Sequence, residues 1–87
     1  MTSFTAKIID PVGLHARPAS ITVSVASKFK SDIKIISGGK SGNLKSIMNI
    51  MAIGVKGGQE IVIEATGDDE KEAIQAIQDE MKKNNLI

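Results

Sequence analysis

Eighty-seven residues, 41% hydrophobic and 24% charged, describe one small globular domain spanning 1–87, with room for a single core and no deep enclosed pocket. A formal net charge of +1, from 11 basic and 10 acidic residues, leaves no electrostatic footprint for nucleic acid. The absence of cysteine excludes disulfides and thiolate metal sites, and a single histidine leaves no transition-metal ligand set.

No apolar run approaches the ~20 residues needed to span a bilayer. The opening MTSFTAKIID lacks a basic region followed by an apolar one, so it is no secretion signal. A soluble, cytoplasmic protein is expected, with no partner in membrane or nucleic acid and no need of a cofactor.

SFTAKII sets Phe4, Ala6 and Ile8 against Thr5 and Lys7, the period-two pattern of a half-buried strand. Pro11 and Gly13 break it. From Ala16 to Phe29 small and apolar residues recur at helical spacing, with Ile21, Val25 and Phe29 in one row and Ala19 and Val23 nearly opposite. SDIKIIS reads as a second strand, GGK as a hairpin turn through Gly38 and Gly39, and KSGNL as a short third strand. SIMNIMAIG predicts a helix of about two turns, capped by Ser46 and stopped by Gly54.

QEIVIEA alternates again and predicts a fourth strand, with Ile61, Ile63 and Ala65 on one face. The last helix is predicted over GDDEKEAIQAIQDEMKK. Asp69 is its expected cap, with Glu72 completing a capping box and Ile74, Ile77 and Met81 forming the buried stripe. Lys82 and Lys83 suit its negative end. The order βαββαβα implies an α+β open-faced sandwich: a four-stranded antiparallel sheet with three helices on one face.

The histidine lies in VGLHARPAS. Proline is tolerated in the first turn of a helix, where its missing N–H costs nothing, and this places His15 at or near the N-cap. Ala16 and Arg17 are then the first helical residues. Their free N–H groups and the positive end of the helix make an anion site, and the Arg17 guanidinium matches a phosphate's spread of oxygens. A phosphoryl group on the imidazole would land among waiting donors, and no pocket is required. The same spacing also fits an ordinary solvent-exposed histidine at a helix start, and Ser46 read alone is equally a plain cap.

GLHARPA, together with ASKF and NLKSIM, resembles the HPr family, the histidine-containing phosphocarriers of the bacterial phosphoenolpyruvate:sugar phosphotransferase system, in its Gram-positive and wall-less type. The resemblance covers essentially the whole chain and implies the same open-faced sandwich. It implies that His15 accepts phosphate through Nδ1 from phosphorylated enzyme I and passes it to sugar-specific enzyme IIA, with Arg17 steadying the phosphohistidine. It further implies that Ser46 is phosphorylated by HPr kinase/phosphorylase, the product serving as partner of the catabolite control protein.

A phosphate at Ser46 would add a charge of about −1.5 to −2 beside apolar Ile47 and Met48 and so repel an acidic partner. Ile47, Met48 and Met51 are expected to stay partly exposed as a docking surface, rimmed by Lys45 and Arg17. Asn49 and Ala52 stand where many relatives carry glycine and serine. A monomer is expected of such a shuttle.

Other classes fit less well. An RNA-binding module of similar topology would need strand aromatics for stacking, and the only aromatics are Phe4 and Phe29. The glycines of GGKSGN and VKGGQE read as turns rather than ligand loops. A hydrolase would need a base beside Ser20 or Ser46, and none is evident.

Overall fold

The structure is a computed structural model describing residues 1–87. Its elements run β1 (Thr2–Lys7), α1 (Ala16–Ala26), β2 (Asp32–Ser37), β3 (Lys40–Asn43), α2 (Ile47–Ile53), β4 (Glu60–Thr66) and α3 (Glu70–Lys83). The strands form one antiparallel sheet in the order β1-β4-β2-β3, and the three helices pack over one face. This is the expected open-faced sandwich.

Strand alternation decides which face is covered. Phe4, Ile63 and Ile35 are aligned across β1, β4 and β2 on the helix side, where Ile33, Ile61 and Ala65 join them in the core. The opposite face carries Lys34 paired with Glu64, and Ile36 paired with Val62, in the adjoining register positions. Gly38 and Gly39 both take positive φ (57° and 79°), so β2 and β3 join in the tight two-residue turn that matches sheet twist. Eighteen buried hydrophobic residues form one cluster, with Ile50 of α2 and Ala73, Ile74, Ile77 and Met81 of α3 closing it from the helix side.

Helix α1 differs from expectation in length and facing. It ends at Ala26, not Phe29, because Lys28 and Phe29 bond back only three residues, to Val25 and Ala26, which tightens and closes the last turn. Its buried stripe runs through Pro18, Ala19, Thr22, Val25 and Ala26, leaving Ile21 half-exposed. Thr22 enters the core without penalty because its hydroxyl donates to the Pro18 carbonyl at 2.8 Å.

The capping box predicted for α3 does not form. Asp69 occupies the N-cap position, but its carboxylate turns across to the α1–β2 connection, accepting from Lys30 N (2.8 Å), Ser31 N (3.0 Å) and the Ser31 hydroxyl. These donors hold the Asp69 carboxyl below its usual range, the Ser31 hydroxyl most of all. Glu70 takes over at the helix start. Its carboxylate accepts from the Thr2 hydroxyl and Gly67 N and pairs with the terminal ammonium at 3.1 Å.

The far end of α3 was not foreseen either. Asn85 takes the left-handed conformation (φ 59°), Asn85 N bonds to Lys82 O and Leu86 N to Met81 O, the paired bonds of a Schellman motif. Leu86 is thereby folded back into the core.

The Thr2 hydroxyl, followed by the terminal ammonium, depresses the Glu70 carboxyl from 4.5 to about 2. A carboxyl lowered on folding stabilises the fold above its unfolded value and ceases to do so as pH falls through its folded one. Glu70→Gln should therefore lower the urea midpoint at neutral pH, and the gap to the native protein should close between pH 4.5 and about 2.

Candidate functional site

The segment from Ile8 to Leu14 carries the chain from β1 to α1 and is fastened along its length. Ile8 N bonds Gln59 O and Gly58 N bonds Ile8 O, at 2.9 and 2.8 Å. Ile9 N bonds Leu86 O at 2.8 Å, and Leu14 N bonds Val55 O at 3.0 Å. Within the segment, Asp10 accepts from Val12 N through Oδ1 and from Gly13 N through its carbonyl.

Gly13 is the tightest point. Its φ is +85°, and a Cβ there would lie 2.2 Å from the Val55 carbonyl oxygen and 2.7 Å from Lys56 Cα. Only glycine fits both the conformation and the space.

This anchoring delivers His15 to the N-cap of α1 in extended conformation (φ −81°, ψ −171°), its carbonyl accepting the first helical bond from Ala19 N at 2.9 Å. The imidazole does not cap the helix. Pro18, the third helical residue, has no N–H to cap, so the donors at this end are Ala16 N and Arg17 N. The imidazole is 42% exposed and Arg17 is exposed and paired with no carboxylate.

The structure thus brings His15, Ala16 and Arg17 together at one helix end, with free donors beside a reachable ring. It adds Asp10, which sequence reasoning missed: its Oδ2 lies 3.9 Å from His15 Nε2. At that distance the carboxylate is a charge partner rather than a direct hydrogen-bond acceptor. The signal was an acidic residue five positions upstream in the same constrained turn. Val12 was also overlooked; it is apolar and 66% exposed.

Helix α2 packs beside α1. Ser46 caps it, its Oγ accepting from Asn49 N at 3.2 Å, and Gly54 ends it in the left-handed conformation. Ile50 alone of this helix is fully buried, while Ile47, Met48 and Met51 are 41%, 81% and 45% exposed. Lys45 is half-buried, and its ammonium donates to the Phe29 carbonyl at 2.7 Å, tethering the α1–β2 connection rather than standing free at the rim. No cluster of histidine, cysteine and carboxylate side chains could hold a metal ion. No helix is long and apolar enough to cross a membrane.

A family model described as the PTS HPr component phosphorylation site matches residues 2–83. The phosphocarrier protein HPr of Mycoplasma capricolum subsp. capricolum is 56% identical over 87 residues, covering 100% of this chain and 98% of its own. That of Mycoplasma genitalium is 51% identical over 88 residues, with both chains fully covered. The solved structure of a Mycoplasma histidine-containing phosphocarrier protein is similar at a TM-score of 0.97 and 56% identity, over 99% of this chain and 98% of that one.

Fold and sequence alike thus point to the small phosphocarriers of bacterial sugar transport. The chain belongs to their HPr family, the phosphocarriers of the phosphotransferase system.

Gly13→Ala tests the anchoring. Left-handed backbone and a clash with fixed backbone atoms together should cost ~2–4 kcal/mol in urea denaturation. Amide exchange at Leu14, whose N–H bonds the obstructing Val55 carbonyl, should accelerate more than exchange in β4.

Proposed function

We propose that His15 receives a phosphoryl group through Nδ1 from phosphorylated enzyme I and passes it to enzyme IIA proteins, the chain acting as a cytoplasmic monomer. The observation that carries this reading is the pairing of an exposed, non-capping imidazole with the unpaired Ala16 and Arg17 N–H groups at the start of α1. Every residue named for the step lies in one chain, so no second copy is needed to complete the site.

In the transfer, the Nδ1 lone pair forms a bond to phosphorus as the bond between phosphorus and enzyme I breaks. Nε2 keeps its proton, and the ring's developing positive charge faces Asp10 across 3.9 Å. The phosphoryl oxygens come within reach of Ala16 N and Arg17 N, donors in place before the group arrives, and the Arg17 guanidinium swings in to add charge-assisted bonds. Because the ring remains at the surface, the acceptor reaches the same phosphorus from the opposite side and the sequence of bonds reverses.

Ile47, Met48 and Met51 supply an apolar docking surface for enzyme I and the acceptors, and Val12 is a further exposed apolar residue three positions before the histidine. Methionine suits a surface that must fit several partners in turn. Ser46 is the regulatory site, modified by HPr kinase/phosphorylase. A phosphate there sets a charge of about −1.5 to −2 at the edge of the docking surface, and the modified form is the partner of the catabolite control protein.

Intact-mass spectrometry after incubation with enzyme I, Mg²⁺ and phosphoenolpyruvate should find one acid-labile phosphoryl adduct on the native protein and none on His15→Ala. An adduct surviving that substitution would refute the assignment. Ser46→Asp should slow transfer from enzyme I about tenfold with the fold intact, as a loss of ~1.4 kcal/mol in association would produce.

A further inference from the structure

Ser46 Oγ is held twice by one residue. It accepts from Asn49 N at 3.2 Å and from Asn49 Nδ2 at 3.0 Å. A serine hydroxyl has two acceptor lone pairs, so both are occupied. The orientation of the Asn49 amide follows from its other contact: Oδ1 accepts from Asn43 N at 3.0 Å, and a backbone N–H can only donate. Nδ2 is thereby turned toward Ser46. The amide bridges the end of β3 to the cap of α2, and rotating it away from Ser46 would break the bond to Asn43 as well.

We infer that Asn49 is a latch on Ser46, setting how readily the hydroxyl reacts with a phosphoryl donor. The inference rests on the reading of Ser46 as a phosphorylation site and adds a determinant of its rate. In the kinase reaction the Oγ–P bond forms as the bond from the γ-phosphorus of a nucleoside triphosphate to its diphosphate oxygen breaks, and the hydroxyl proton passes to a base of the kinase. The attacking oxygen must direct a lone pair at phosphorus in line with the leaving group. With both lone pairs engaged, one hydrogen bond has to open first. The backbone bond holds the helix cap, so the bond that opens is the one to the Asn49 side chain.

Asn49 is a positioning residue in this scheme, acting through Ser46. Asn49→Ala removes the side-chain donor and keeps the backbone cap. Its kcat for Ser46 phosphorylation by HPr kinase with ATP should rise three- to tenfold, the factor that one ordinary net hydrogen bond represents. KM should stay unchanged, because the exposed apolar surface of α2 is untouched; a merely structural role would shift KM or stability without raising kcat. Asn49→Leu keeps the γ-branched shape, lacks the amide and is read on kcat alone should the alanine variant lose structure.

Ser46→Ala, in the native background and in each variant, verifies the modified residue. Equal or lower kcat on a folded variant would overturn the latch and leave Ser46 as the regulatory site. Absence of phosphate at Ser46 on every protein, with the kinase active on another HPr, would overturn the reading of Ser46 and the latch with it.

Discussion

The site depends on a backbone-to-backbone contact. The carbonyl of Val55 fills the space that a side chain at position 13 would need, and the same carbonyl accepts the N–H of Leu14. This contact sets where the turn before α1 stops and therefore where the helix begins. The carbonyls of Asp10 and Pro11 also crowd Gly57, and Ile9 is tied to Leu86. A loop held from three directions presents its last side chain in one place. The exposed histidine is consequently a surface group on a rigid mount, which a carrier meeting different partners requires.

The two helices at the surface use their N-caps in opposite ways. Ser46 turns its oxygen inward and satisfies Asn49 N, so α2 starts closed. His15 makes no such bond, and the proline at the third helical position removes the donor a capping side chain would seek, so α1 starts open. One cap closes a helix and the other leaves donors waiting for an anion. In the proposed function this difference separates the group that carries phosphate in transit from the group that regulates. The Asn49 amide deepens the contrast by occupying the Ser46 oxygen from a second side.

Much of the architecture was legible along the chain because its period-two and helical patterns agree with the final layers. Phe4, Ile35 and Ile63 alternate as strands should, Ile74, Ile77 and Met81 recur as a helix stripe should, and the paired glycines at 38 and 39 demand a tight turn. Pro18 announced the start of α1, and with it the places of His15, Ala16 and Arg17. Two of the errors fall where a side chain had two possible partners. Asp69 could cap its own helix or bind the donors of Lys30 and Ser31; tertiary proximity chose the latter, three donors converging on its carboxylate. Lys45 could rim a surface or reach a carbonyl, and the nearby Phe29 oxygen decided it.

What the sequence by itself determined is therefore local: which residues alternate, where a helix can start, and the presence of one histidine followed by donors and an arginine. Those properties need only neighbours within a few residues. Tertiary structure decided which atoms meet in space, within a turn as well as between segments distant in sequence. It set Asp10 opposite Nε2, fitted Gly13 against Val55, folded Leu86 back to brace the histidine loop, and turned the Asn49 amide onto Ser46 by giving its oxygen the N–H of Asn43. The physical reason is that a hydrogen bond or a close approach is specified by position in space, whereas a pattern of hydrophobicity specifies only the face on which that position will lie.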